Sequence, residues 1–284
     1  MTGPIQLDYR VPSAAAVPHV TLFYYFRADL PAFEDVERAD HAQFRFRLSE
    51  GGSTYRFPDG HEQHAPPIHI VGPTTASVRS SAIGPVEAFG MGVTPLGWAS
   101  MVGTSASACA NRVLDAVEIF GEQVVGYADR LAKAGAVDAK VAIAEEMIAV
   151  LVASDALSST FTAIVDSWLA ASASPDVHQL ELASGLSARQ LERKCNALYG
   201  APPKLLARKY RALKAAVAYA THQASLDDLL TIGFYDQSHL IRELRQFTGM
   251  TPTQLHDAPG PLSQLTIAQR SALHGQVAPI ISDT

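Results

Sequence analysis

The chain has 284 residues, a length for one large or two ordinary domains, with 48% hydrophobic and 18% charged residues and a formal net charge of −6. This is the composition of a globular protein; no run of about 18 uninterrupted apolar residues is present to span a bilayer, and the start of the chain lacks a basic region followed by an apolar one, so neither a membrane span nor a secretory leader is expected. The two cysteines, Cys109 and Cys195, supply no disulfide framework and no metal-binding cluster, which fits the cytoplasm.

Residues 1–100 read as mostly strand. Residues 20–26 form an aromatic and β-branched run. Residues 43–48 alternate strictly, with Phe44, Phe46 and Leu48 on one face and Gln43, Arg45 and Arg47 on the other, the period of a half-buried strand. Gly51, Gly52 and Ser53, then Pro58, Asp59 and Gly60, are turn signals. Short strands are expected at 68–71 and 88–93, with a break at Pro95 and Gly97. The period then becomes helical: a short helix within 106–120, others at 121–134, 137–153 and 157–169, and one near 267–273. The small-residue stretch 172–175, ending in Pro175, is the best domain boundary. The expected fold is α+β: a strand-rich sensor domain (small sheet or barrel) over 1–136, linking helices over 137–174, an all-α domain over 175–258 and a tail over 259–284. The apolar stripes of the linking helices suit either a dimer interface or packing against the first domain.

The third quarter of the chain reverses the meaning of the overall negative charge. Between Ser187 and Lys214 stand Arg189, Arg193, Lys194, Lys204, Arg208, Lys209, Arg211 and Lys214 against the single acid Glu192, a local balance of +7. Phosphates respond to such a patch and not to the whole-chain sum. The patch sits inside a repeat with a shift of 49 residues: Leu180, Leu191, Arg193, Leu198, Gly200, Pro203 and Leu206 recur as Leu229, Leu240, Arg242, Phe247, Gly249, Pro252 and Leu255. Each copy predicts a short helix ending near a glycine, a tight turn, and a second helix capped by Ser187 or Asp236 and closed by Gly200 or Gly249. Helix, turn and capped basic helix are the DNA-reading arrangement. Residues 204–222, uninterrupted by Gly or Pro, predict a joining helix of about 30 Å, against about 34 Å for one turn of duplex, so that two recognition helices reach successive major grooves.

The sequence GFYDQSHLIRELRQFTGMTP at 233–252 resembles the signature of the AraC/XylS family of transcription regulators, and GLSARQLER at 185–193 is similar to that family's first unit. The resemblance implies sequence-specific binding of double-stranded DNA. It places the base-facing positions at Arg189, Glu192 and Arg193 in the first unit and Gln237, Ser238, His239 and Arg242 in the second. Arginine pairs bidentately with guanine and glutamine with adenine. Lys194, Lys204, Arg208, Lys209, Arg211 and Arg245 suit phosphates, which position a protein without reading sequence. The chain departs from the family pattern at Glu181, where a small residue is usual, at Cys195, in place of a bulky aromatic, in a second unit one residue short before Gly233, and in a second proline at Pro203. Less specifically, FPDG at 57–60, IVGP at 70–73 and GVTPLG at 92–97 resemble the sensor domains of some family members, with Val93 and Thr94 where an Arg-Phe pair is usual.

The resemblance allows a small-molecule effector of unknown identity and RNA polymerase as partners, and leaves monomer and homodimer open. Tyr24, Phe44, Phe46 and Trp98 are the effector-pocket candidates, with plain core as the other reading. His41, His61, His64 and His69 match no metal-ligand spacing and read as surface or hydrogen-bonded residues, so no metal is expected. No phosphate-cradling glycine loop, nucleophile elbow or paired carboxylates point to catalysis or a cofactor. Two other readings remain: a small-molecule-modifying enzyme domain joined to a DNA-binding module, and a degenerate helix-turn-helix unit that binds a protein.

Overall fold

The computed structural model describes residues 3–152, 159–257 and 259–284; the expected helix ends at 153 and 157 and the domain end at 258 lie outside them. Ten strands come first: β1 Ile5–Arg10, β2 Val20–Ala28, β3 Ala32–Glu37, β4 Ala42–Arg47, β5 Ser53–Arg56, β6 Glu62–Ala65, β7 Ile68–Val71, β8 Val78–Ile83, β9 Val86–Val93 and β10 Val113–Asp115. They form two antiparallel sheets, one of six strands in the order β1-β2-β9-β4-β7-β10 and one of four in the order β3-β8-β5-β6. β4 shows why two sheets are needed. Phe44 and Phe46 pair across from Met91 and Phe89 of β9 and are fully buried. The opposite face of β4, with Gln43 buried and Arg45 and Arg47 half-buried, looks toward the second sheet across a cavity. The alternation is therefore apolar core against polar cavity, not core against water.

The helices follow as α1 Pro95–Met101, α2 Ala116–Phe120, α3 Gln123–Lys133, α4 Val137–Leu151, α5 Ser159–Ala171, α6 Val177–Ser184, α7 Ala188–Tyr199, α8 Pro203–Ala220, α9 Leu226–Thr231, α10 Gln237–Thr248, α11 Pro252–Asp257, α12 Pro261–Ala272 and α13 Pro279–Ser282. Within the expected 106–120 stretch lie a single 3₁₀ turn at Ala106–Ala108 and the short helix α2 at Ala116–Phe120, with β10 between them. Thr94 caps α1 by accepting from the Gly97 amide, and Pro95 supplies the preset first turn.

Burial divides the helices between two bodies. Met147 and Ile148 of α4 join Val124 and Leu131 of α3 in the core under Phe44, Phe89 and Trp98. Phe161, Val165, Trp168 and Leu169 of α5 instead join Leu180 of α6, Leu191 and Cys195 of α7, and Ile280 and Ile281 of α13. The two linking helices thus spend their apolar stripes inside the chain, one on each side. The 172–175 connection is fixed from both sides: the Trp168 indole donates to the Asp176 carbonyl (2.7 Å), and Lys214 donates to the carbonyls of Leu169 (2.6 Å) and Ala170 (3.1 Å) at the end of α5 and of Ser172 (2.8 Å) just beyond it. A third core holds the second repeat, with Leu229, Phe234, Leu240, Leu244 and Leu255 against Ala215 and Ala216 of α8.

Candidate nucleic-acid interface and effector cavity

Each predicted helix-turn-helix unit is present. In the first, Asp176 caps α6, Gly185 closes it in the left-handed conformation, and Gln190 Oε1 accepts from the Ser187 amide at the start of α7 (3.0 Å). In the second, Ser225 and Asp228 form a capping box at α9, and Asp236 accepts from the His239 amide at the start of α10 (2.7 Å). Such caps contribute about 1 kcal/mol each. α9 has 6 residues where α6 has 8, matching the shortened second repeat. Cys195 is fully buried in the first unit's core, and burial pushes its thiol up to about 12, leaving it inert.

Both recognition helices run into the N-terminal domain by their C-terminal ends. Gly200 and Gly249 end α7 and α10 at φ +77° and +76°. A Cβ at Gly249 would lie 2.3 Å from Val36 Cγ1, and one at Gly200 would lie 3.1 Å from Pro73 Cβ. The Ala39 amide donates to the Phe247 carbonyl (2.7 Å) and the Ser77 amide to the Gln246 carbonyl (2.8 Å). Segments 36–40 and 73–77 are bonded to each other, Asp40 N donating to Thr74 Oγ1 (2.8 Å), so one platform seats both helix ends. The N-terminal halves of the helices are exposed at Arg189, Glu192 and Arg193 on α7 and at Gln237 and Ser238 on α10. The joining helix α8, 18 residues and about 27 Å long, lies between them.

The exposed faces carry most of the expected residues. Arg189, Glu192, Arg193 and Lys194 are exposed on α7, as are Gln237, Ser238, Arg242 and Arg245 on α10, and Lys204 at the start of α8. Among the described residues none of Arg189, Arg193, Arg242 and Arg245 is ion-paired. His239 turns back instead: its Nδ1 accepts from the Tyr235 amide (3.2 Å), its ring packs on Phe234, and Nε2 lies 3.8 Å from Glu243.

Four members of the basic run are placed differently. Lys209 is buried under the platform, donating to the carbonyls of Asp40 (2.7 Å) and Thr74 (3.0 Å), and burial pushes its ammonium down to about 8. It joins the two halves of the chain and is out of reach of a phosphate. Arg208 (2.6 Å) and Arg211 (3.4 Å) close on the buried carboxylate of Glu243, with Arg211 also over the Phe234 ring at 4.9 Å. Lys214 is the cap already described. The carbonyls and Glu243 lie far from these cations in sequence, so the linear charge count could not register them.

The N-terminal domain encloses a cavity of about 140 Å³ between its two sheets. Of the four aromatic candidates Tyr24 lines it; Phe44, Phe46 and Trp98 do not, being locked in the core behind β4. Its polar wall is a continuous network. Arg45 donates to both Glu37 oxygens (2.9 and 2.6 Å), to the Tyr24 hydroxyl (2.9 Å) and to the Tyr55 hydroxyl (2.8 Å). The Tyr55 hydroxyl meets His69 Nε2 (3.1 Å), and His69 Nδ1 bonds the Pro66 carbonyl (2.8 Å). Burial, reinforced by Arg45, pushes His69 down to about 3, so the imidazole is neutral. The other histidines are dispersed: His41 on the Tyr210 hydroxyl, His64 on Thr54, His61 on Asp59 and the Phe57 ring. Arg38, Asp40 and Arg270, which complete the wall, carried no sequence signal beyond their type; the only legible hint was the polar face of β4. No helix among the described residues is long and apolar enough to cross a membrane.

The chain resembles known proteins in two ways. Residues 182–258 match the family model described as a helix-turn-helix domain. Among solved structures, ToxT from Vibrio cholerae aligns with a TM-score of 0.44 at 8% identity, covering 89% of this chain and 97% of that one. Vibrio cholerae ToxT bound to (E)-4-(8-methylnaphthalen-1-yl)but-3-enoic acid aligns with a TM-score of 0.46 at 7% identity, covering 89% and 98%. No curated protein matches. The match falls on the part of the chain, 182–258, whose sequence resembles the AraC-type helix-turn-helix.

Proposed function

We propose that the chain is a sequence-specific, DNA-binding transcription regulator whose N-terminal cavity takes an effector. The observation that carries this reading is the pair of capped recognition helices seated by their C-terminal ends on one platform, with Arg189, Arg193, Gln237, Ser238 and Arg242 exposed beyond it. Arg193 and Arg242 occupy the same place in the repeat and read bases in the major groove. Lys194, Lys204 and Arg245 meet phosphates and supply the salt-dependent, sequence-independent part of the affinity. Glu192 serves as an acceptor for a cytosine amino group. Seating both helix ends on the platform ties their relative placement to the N-terminal domain, which is how occupancy of the cavity alters operator binding.

Recovery and sequencing of genomic fragments retained by the full chain tests the proposal. Enrichment of a common site with two half-sites about one helical turn apart is expected, with retention falling steeply as salt rises. Retention without a common sequence, or retention insensitive to salt, refutes sequence-specific reading and favours a protein-binding unit.

A further inference from the structure

The two units differ at the entry end of the recognition helix. In the first, the residue before the Ser187 cap is Leu186, half-buried against that unit's core. Its repeat equivalent is Tyr235. Relative to the cap, Gly233 comes one place earlier in the second unit than Gly185 does in the first, and the burying role passes to Phe234, 6% exposed in the third core. Tyr235 is left 93% exposed, more than any other large hydrophobic side chain among the described residues. Neither its ring nor its hydroxyl has a partner among them. Its backbone, by contrast, is held. The Tyr235 amide donates to His239 Nδ1 (3.2 Å), and the His239 ring stands edge-on to Phe234 at 5.8 Å. The side chain therefore starts from a fixed point, one residue before the Asp236 cap and two before Gln237.

Charge gives the second unit little hold on a polyanion. On the first unit Arg189, Arg193 and Lys194, with Lys204 just beyond, are exposed against the exposed acids Asp176 and Glu192. Across α9 and α10 the exposed acids Asp227, Asp228 and Asp236 outnumber the exposed cations Arg242 and Arg245, and Glu243 engages Arg208 and Arg211 of α8. The caps sharpen the contrast. Ser187 is neutral, whereas Asp236 is an acid already holding the His239 amide (2.7 Å). A phosphate arriving at the start of α10 therefore meets a carboxylate where a bare helix start would offer it amides. Phosphates are also held by neutral hydroxyl donors, that of tyrosine among them. The residues at the start of a recognition helix meet base edges, so a side chain just before its cap stands at the rim of the groove, where the phosphates run.

We propose that Tyr235 is a DNA-contact residue: its hydroxyl donates to a backbone phosphate at the rim of the groove that α10 enters, so that a neutral contact holds the second unit where ionic contacts hold the first. The proposal rests on the DNA-binding reading above and adds to it a residue outside both recognition helices. A neutral donor displaces no counterion, so this contact adds affinity without adding salt dependence. Because it meets the backbone, it fixes the register of α10 and reads no base.

Anisotropy titrations of the full chain test it, using duplexes that carry the enriched genomic site and variants of that site with one base pair changed in the second half-site. Tyr235→Phe weakens binding to every duplex by the same factor, roughly tenfold, the scale of one hydrogen bond to a charged group. The slope of log affinity against log salt stays at the wild-type value, and so does the urea midpoint, since the side chain packs against nothing. Replacing the phosphates of the second half-site one at a time by methylphosphonates locates the partner: at one position the wild type loses roughly tenfold more than Y235F does. Wild-type affinity in Y235F, a loss that varies with the changed base, a shallower salt slope, a lowered urea midpoint, or identical methylphosphonate losses in the two proteins overturns the assignment. The first of these leaves the exposed ring to a protein partner. A wild-type chain that binds none of the duplexes sinks the DNA-binding reading itself, and this contact with it.

Discussion

The two helix-turn-helix units share one pattern at a shift of 49 residues, yet they handle charge in opposite ways. Position 194 in the first unit is Lys194, exposed and extended over the Phe161 ring; its repeat equivalent is Glu243, buried, drawing Arg208 and Arg211 of α8 toward it. The second unit thus spends two cations on its own cohesion, and the first leaves its cations facing outward. Their buried acids differ as well. Glu243 has two guanidinium partners, whereas Asp166 in the first unit's core has the Tyr199 hydroxyl (2.7 Å), and burial, its largest influence, raises its carboxyl above the ordinary range. One repeat position thus carries an outward-facing cation in one unit and an internally neutralised acid in the other, while the apolar positions around it are shared.

The sharpest way to break this comparison is Glu243→Ala. Removing the acid leaves Arg211 largely buried, with its Nε already lacking an acceptor, and a loss of about 3 kcal/mol in urea unfolding is expected. The figure is at the low end for such a deletion because Arg208 is 44% exposed and regains water. Lys194→Ala at the equivalent position should leave the urea midpoint unchanged. Equal behaviour of the two variants would show that the Glu243 cluster holds nothing together.

The next largest effects concern DNA. Arg193→Ala and Arg242→Ala each weaken operator binding by about 1–3 kcal/mol and relax preference at one base position, while Lys194→Ala weakens all sequences alike and lowers the salt slope by about 1. Fluorescence anisotropy titrations at several salt concentrations separate these outcomes, and wild-type affinity in both arginine variants would remove α7 and α10 from the interface.

The smallest effect is on the other buried acid. Because the folded-state carboxyl of Asp166 titrates above its unfolded value, ionising it costs the folded state as pH rises, and below about pH 4 both states are protonated and the cost vanishes. Asp166→Asn keeps an oxygen for the Tyr199 hydroxyl, so it should be more stable than wild type at pH 7, with the gain disappearing toward pH 4. Urea midpoints at both values check this; a variant less stable at pH 7 would mean that the charge is matched after all.

The sequence by itself determined the local parts. Caps, closing glycines and a helical apolar period act within a few residues, so Ser187, Asp236, Gly200 and Gly249 marked the recognition helices, and strict alternation marked β4. The exposed faces with Arg189, Arg193, Gln237 and Arg242 followed, because an amphipathic helix with its apolar side buried has one place left for its charges. Only the tertiary structure decided which charges face outward and which face the protein. Lys209 meets carbonyls of residues 40 and 74, Arg208 meets Glu243, and Arg270, from a segment that reads as a plain tail, closes a cavity opposite Asp40. These partners are 35 to 230 residues apart. The force that selects them is the cost of burying a charge without a counterpart, which depends on what folding brings alongside and leaves no periodic trace in the chain.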